Sequence, residues 1–313
     1  MAVGLCAANL SFAQSYPNKP IRVIVPFGTG GPDSVARMVG LQLGSQMGQS
    51  FVIENKPGAN GILGADALSK SAPDGYTLMI TSAGFTANVN MYKKLPYDTE
   101  KDFLPVTNLV ENPGVFVVVN PSLGVKSLQE LLDLARKPNS RLSFGSAGIG
   151  NNLHLSGEFF NAKAGTSILH IPYKGAGPAV AAVLSGETQV MFSTPPAVMA
   201  HVKAGKLIAL AYSDVKRHPQ MLDVPTANEA GLPAFTHHGG WFGLFAPANT
   251  PADIVNRLHT EVRLAFANPQ FRDRLSALGA DPVGNSPAEF KAFVNAEIKR
   301  YAEMIRLAKI EPE

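Results

Sequence analysis

The chain has 313 residues, 27 basic and 24 acidic side chains for a net charge of +3, 45% hydrophobic content and only 16% charged residues. That balance excludes a disordered, charge-rich chain and the basic footprint of a nucleic-acid binder, and the length allows two domains with cores of their own. One cysteine excludes a disulfide scaffold and any multi-thiolate metal site, and no stretch reaches the roughly 18 apolar residues of a spanning helix.

Residues 1–13 (MAVGLCAANLSFA) are uncharged and end in Ser11-Phe12-Ala13, a small-x-small pattern ahead of Gln14. The segment reads as a signal peptide cleaved near Ala13, although the basic stretch that should precede it is missing. Cleavage there would remove Cys6, so export without disulfides fits the mature chain.

From Lys19 onward, apolar runs of strand length alternate with helical spacing. Ile21–Phe27 predicts a strand that stops at Gly28-Thr29-Gly30-Gly31-Pro32, and 34–46 predicts a helix. Strands are predicted at 51–53 and 77–81, with a helix at 62–70 between them. The run 115–120 (VFVVVN) suits a strand buried on both faces. Ser127-Leu128-Gln129-Glu130 is a capping box opening a helix to Arg136. Further strands are predicted at 142–146, 168–173, 190–193, 207–212 and 242–246, and helices at 251–266 and 287–309. This βαβ alternation calls for mostly parallel sheets with helices on their faces. Crossovers at 111–114 and 236–241 would divide the chain into one lobe of 14–114 plus 236–313 and a second of 115–235.

Three strand ends carry turns rich in Gly, Ser and Thr. The first, 26–34 (PFGTGGPDS), fails as a dinucleotide fingerprint, because Asp33 stands where the third glycine belongs, and it lacks the Lys-Ser/Thr of a P-loop. What survives is a glycine turn leading into a helix N-terminus, either an anion site or a plain connection. The second, 144–154 (FGSAGIGNNLH), offers Ser146 with His154 and His170 elsewhere. Phe144 occupies the place of the glycine that a nucleophile elbow needs, and nothing in the sequence ties either histidine to the serine. The third is 81–86 (TSAGFT). Converging at the carboxyl ends of strands, such turns would hold a small carboxylate with N–H groups and hydroxyls. His237-His238 reads as a polar hinge segment rather than a metal pair, and Trp241-Phe242 as packing.

Several segments, in order, carry a resemblance: YPNKPIRVIVPF (16–27), ENKPGANGILGA (54–65), APDGYTLMITSAG (72–84), FGSAGIGNNLHLSGEFF (144–160), HIPYKGAGPAV (170–180) and WFGLFAPANTPADIVNRL (241–258). Together they resemble the substrate-binding receptors of tripartite tricarboxylate transporters, the Bug family of periplasmic solute-binding proteins. The resemblance implies an α/β, two-lobed periplasmic-binding-protein fold of type II, closing by hinge motion on a ligand held between the lobes. It implies a monomeric periplasmic receptor, with no cofactor or metal, that delivers a di-, tri- or aromatic carboxylate to membrane transporter subunits. A sensor serving a signalling kinase, or an α/β enzyme acting on a carboxylate, are the alternatives. By motif, the ligand-binding positions are Phe27, Gly28, Thr29, Gly30, Gly31, Pro32, Ser146, Gly148, Gly150 and Asn151, with Asp33 and His154 taken in beside them. Ser82, Gly84, Phe85, Tyr173, Lys174, Gln189 and Thr194 are added. Gln189 stands where relatives often carry Asp, which suits a ligand without an amino group. Phe85 stands where relatives often have His, and with Phe27 it would form an apolar wall.

Overall fold

The computed structural model describes residues 16–278, 280–307 and 310–312. The expected leader and its cleavage point lie outside the described residues, as do the last two residues of the expected C-terminal helix.

The chain builds β1 (Ile21–Val25), α1 (Gly31–Met47), β2 (Phe51–Asn55), α2 (Ile62–Ser69), β3 (Thr77–Ser82), α3 (Gly84–Met91) and β4 (Phe103–Asn112) in turn. It then enters β5 (Phe116–Val119), α4 (Leu128–Ala135), β6 (Ser143–Ser146), α5 (Asn152–Ala164), β7 (Leu169–Pro172), α6 (Ala176–Ser185), β8 (Val190–Ser193), α7 (Pro195–Lys203) and β9 (Ile208–Tyr212). Last come β10 (Gly240–Pro247), α8 (Ala252–Ala267), α9 (Pro269–Ala277), β11 (Asp281–Pro282) and α10 (Pro287–Leu307).

These strands form two mixed sheets, ordered β11-β4-β10-β3-β1-β2 and β7-β6-β8-β5-β9. The βαβ units give the parallel pairs β1 with β2 and β3, and β6 with β7 and β8. Antiparallel pairing enters through β10 and β5, each lying inside the sheet its chain has just crossed into, and through β11 at the edge beside β4. The parallel share is therefore smaller than βαβ alternation alone suggests, because each sheet accepts a strand delivered by a crossover rather than by a helix. The result is the two-lobed fold, one sheet to each lobe, with helices on the sheet faces.

Four elements escape the pattern reading. Strand β4 carries Pro105, Asn108 and Asn112, which mask its strand character; the ladder with β10 shifts register near Pro105, where a missing N–H is tolerated. Helix α3 (GFTANVNM) is built from weak helix formers, so only the turn before it is visible in sequence. Helix α9 has a legible start in Asn268, whose side chain accepts from Gln270 N and Phe271 N, followed by Pro269. Strand β11 is two residues long. Pro251 caps α8 rather than opening it.

The lobes are joined where β4 passes to β5 and where residues 213–239 return to β10, and the two crossings are hydrogen-bonded to each other. Gly114 N donates to Tyr212 Oη (2.9 Å), Val115 N to Ser213 Oγ (2.9 Å), Ser213 Oγ to His237 O (2.9 Å) and Gly239 N to Asn112 O (2.8 Å). The 111–114 and 236–241 segments, read from sequence as crossovers, thus lie side by side.

Helix α10 packs on α3 and β4 and reaches α5 of the other lobe. Its buried Glu297 accepts from Trp241 Nε1 (3.0 Å) and from Arg300 (2.6 and 2.9 Å), while Tyr301 Oη donates to Asn152 Oδ1 (2.7 Å). Removing one member of a buried ion pair strands the other, at a cost of about 3 kcal/mol. Glu297→Ala is therefore expected to lower the unfolding free energy from urea melts by about 3 kcal/mol, with a lower midpoint at unchanged m-value, and a loss below a quarter of that size would contradict the role of this network.

Candidate functional site

Five helices begin around one small cavity, of about 40 Å³, between the sheets. Gly30, Gly31 and Pro32 bring the start of α1, and Ser82 and Ala83 the start of α3, both from the first lobe. Asn151, Asn152 and Leu153 bring α5, Ala176 brings α6 and Thr194 brings α7, all from the second. Each helix follows a strand, so the five N-termini stand at strand carboxyl ends, where open α/β sheets place their ligands. The first N–H groups of a helix have no intrahelical acceptor, and its macrodipole is positive at that end.

Among the described residues, no Asp, Glu, Lys, Arg or His lines this cavity. Its remaining wall is Phe27, Ala147, Trp241 and Phe242, with backbone from Gly28, Gly239 and Gly240. Ser82 is 7% exposed and its Oγ has no hydrogen-bond partner among the described residues. Thr194, the N-cap of α7, makes no side-chain cap bond, and its Oγ1 faces the start of α1 from the opposite lobe. Hydroxyls and amide dipoles, with no fixed counter-charge, make an anion site of modest strength.

The lips of the cleft meet through glycines. Gly177 N donates to Thr29 O at 2.7 Å. A Cβ on Gly177 would stand 2.5 Å from Thr29 O, and one on Gly28 would stand 2.8 Å from Lys174 O. Only residues without side chains let these backbones approach so closely.

Of the positions inferred from sequence, Phe27, Gly28, Gly30, Gly31, Pro32, Ser82, Asn151 and Thr194 line the cavity. Gly148, Tyr173 and Lys174 line an outer cleft next to it, and Thr29 forms the lip. The others are placed elsewhere. Asp33 binds Arg37 (3.0 Å) and Asn55 (2.8 Å), tying α1 to β2. Gly84 opens α3 against the Asn60 amide, and Gly150 sits beside Met91 and Asn60.

Phe85 does not join Phe27 in a wall. It is buried among Tyr97, Phe103 and Phe245, because α3 turns that face into the core. Gln189 does not reach the cavity either: its Oε1 accepts from Ser143 N and Oγ, and its Nε2 donates to Gly186 O at 3.1 Å. Pattern reading missed Ala83, Ala147, Asn152, Leu153, Ala176, Gly239, Gly240, Trp241 and Phe242. The signal for Asn152 was present in the Asn151-Asn152 doublet at a helix start. Trp241 packs against Phe245 and Phe290 while lining the cavity, so packing and site coincide there.

Ser146 is tied to a histidine after all, since its Oγ lies 2.6 Å from His170 Nε2. Strands β6 and β7 pair in parallel and set the two residues close, a contact that no sequence spacing announces. The serine is fully buried, also bonds Gly148 O (3.1 Å) and lies outside the cavity lining, so the pair holds the turn 146–150. The His170 ring stacks on that of His154 at 4.0 Å, and Gly150 N donates to His154 Nδ1 at 3.1 Å. Burial pushes His154 down to about 4 and, with the neighbouring His154, His170 to about 3.

Two α/β lobes, paired crossings between them and a cleft ringed by helix N-termini are the architecture of a solute-binding protein. A profile described as "Tripartite tricarboxylate transporter family receptor" matches residues 35–310, and the chain belongs to that family. Among similar solved structures, a Rhodopseudomonas palustris protein solved with adipate is 33% identical, with TM-score 0.92 and coverage of 95% of this chain and 100% of its own. MatC from the same organism, with bound malate, is 33% identical, with TM-score 0.87 and coverage of 93% and 100%. The periplasmic binding protein BugD is 31% identical, with TM-score 0.90 and coverage of 95% and 100%.

Depressed histidine pKa values make stability depend on pH. Above about 6.5 the imidazoles are neutral in both states; below it the unfolded chain takes up protons that the folded turn refuses until about pH 4. Stability is expected to fall as pH drops from 6.5 towards 4, by about 1.4 kcal/mol per pH unit for each such histidine. Urea melts at pH 7 and pH 5 check this. His154→Gln should lose less between the two pH values than the native chain, and an equal loss would contradict the assignment.

Proposed function

We propose that this protein is an extracytoplasmic receptor that captures a small organic carboxylate between its lobes and delivers it to a tripartite tricarboxylate-type membrane transporter. The observation that carries the reading is the convergence of five helix N-termini, from both lobes, on one cavity whose lining, among the described residues, holds no charged side chain. An anion there gains from every dipole at once, and only when both lobes are in place. A cation would meet the positive ends of five helices and no carboxylate.

Adipate and malate, found in two similar structures, are both dicarboxylates and agree with this chemistry. The lobes are assigned as 14–114 with 236–313, and 115–235, which follows the membership of the two sheets. Export to the periplasm rests on the receptor family and on the leader-like residues 1–13. A binding role rather than turnover is supported by the Ser146–His170 pair, which lies outside the cavity lining.

A ligand present at a hundred times its dissociation constant stabilises the folded protein by about 2.7 kcal/mol. A thermal-shift panel of mono-, di-, tri- and aromatic carboxylates is expected to contain acids that raise the melting temperature, while amines of similar size do not. A panel in which no carboxylate stabilises the protein would contradict the proposal.

Closure has its own test in Gly177→Ala. The added Cβ collides with Thr29 O only when the lips meet, so affinity for the best acid is expected to drop at least tenfold, about 1.4 kcal/mol. The ligand-free melting temperature should stay within about two degrees, because alanine is favoured in the first turn of a helix. Unchanged affinity in calorimetry would sink this closure geometry.

A further inference from the structure

On the first lobe, a pocket of about 560 Å³ opens to solvent between the end of α3 and the segment 95–102. It shares no lining residue with the ligand cavity. Part of its wall is apolar: Val89 in the last turn of α3, 37% exposed, with the half-buried Leu95 and the exposed Pro96. The rest holds Asp98, Glu100 and Asp102 beside Tyr97 and Thr99, and among the described residues no Lys, Arg or His. Lys93, Lys94 and Lys101 of the same stretch stay outside the lining.

The three acids are engaged to different degrees. Asp98 holds its own turn, Oδ1 accepting from Glu100 N (3.0 Å) and Lys101 N (3.1 Å) and Oδ2 from Lys101 Nζ (2.8 Å). Asp102 uses Oδ2 on Asp98 N (2.7 Å). Glu100 is exposed, and among the described residues its carboxylate enters no ion pair. Thr99, between them, is 8% exposed, and its Oγ1 has no hydrogen-bond partner among the described residues. A buried hydroxyl in that state calls for a polar group from outside the chain. The last turn of α3 adds the negative end of a helix dipole. Among the described residues, no three His, Cys, Asp or Glu are grouped to hold a metal ion. The chemistry that fits is an organic cation on an aliphatic stem, its head at the carboxylates and its methylenes along Val89, Leu95 and Pro96.

We propose that this pocket is a docking point for a partner protein, which inserts an arginine or lysine side chain between the apolar wall and Glu100. The open mouth favours a protein over a free solute. A small-molecule site encloses most of its ligand, whereas here the covering surface has to come from whatever carries the cation. The same helix α3 that begins at the ligand cavity, with Ser82 and Ala83, carries Val89 into this pocket at its other end. Partner and ligand therefore meet opposite ends of one helix. Because Glu100 is exposed, its pairing is screened by water, and its effect is a modest fold-change.

The experiment is amide chemical-shift titration of the full chain with three probes: the blocked tripeptide Ala-Arg-Ala, the same peptide with norleucine in place of arginine, and agmatine. The arginine peptide is expected to shift the amides of Val89, Thr99, Glu100 and Lys101 along one saturating curve, and the norleucine peptide to bind at least fivefold more weakly. Glu100→Gln should weaken the arginine peptide about fivefold, Glu100→Asp should weaken it less, and raising the salt should weaken it in the native chain. The melting temperature of Glu100→Gln should match that of the native chain, since that carboxylate holds no other element. Equal binding of the two peptides, or no loss on Glu100→Gln, would overturn the proposal. So would agmatine binding as tightly as the peptide, which would assign the pocket to a free small cation, or the same shifts produced by calcium alone. The carboxylate reading is tested by its own panel, and its success or failure leaves these outcomes unchanged.

Discussion

The first turn of an α-helix presents N–H groups that its own backbone cannot satisfy, and this fold gathers five helix starts around one space between the sheets, all but α7, which opens on Pro195-Pro196, offering such groups. Buried donors of this kind need acceptors, and among the described residues no acidic side chain lines the space to supply them. Much of the architecture follows from that constraint. Strands β1, β3, β6 and β8 run so that their following helices start at the cleft, and β7 does the same for α6. The glycines at 28, 30, 31 and 177 let the chain turn and approach where side chains would block it. A carboxylate placed there would complete the hydrogen bonding of both lobes together, which couples occupancy to closure.

Two supports hold this arrangement. The paired crossings give a short hinge in which Asn112, Gly114, Tyr212, Ser213, His237 and Gly239 exchange hydrogen bonds. Helix α10 supplies the second support. Through Glu297 it fixes Trp241 in the cavity wall, and through Tyr301 it fixes Asn152, whose Nδ2 also donates to Gly239 O at 2.5 Å. One helix of the first lobe therefore orients a wall residue of each lobe. The Ser146–His170–His154 stack plays the same part for the turn that carries Asn151, at the expense of acid stability.

Much of this was legible in the sequence where local chemistry dictates local structure. The glycine turn after β1, the Ser127 cap and the apolar run of β5 each announce themselves within a few residues. The glycine-rich turns PFGTGGPDS and FGSAGIGNNLH mark the two main loops that line the cavity. What was not legible depends on contacts distant in sequence. Strand β4 is a strand because β10 and β11 flank it, despite Pro105 and two asparagines. Phe85 and Gln189 look available for ligand until the fold turns one into an aromatic core and the other onto Ser143 and Gly186. Ser146 and His170, 24 residues apart, meet only because β6 and β7 run in parallel register.

The central claim is that backbone amides of both lobes, rather than charged side chains, hold a carboxylate. Amide chemical-shift mapping by nuclear magnetic resonance tests it most directly, using a titration with the most stabilising acid. The account predicts that Gly28, Gly31, Ala83, Asn152 and Ala176, which come from both lobes, shift along one saturating curve. Shifts confined to a single lobe, or absent from these five amides while the acid binds elsewhere, would contradict it.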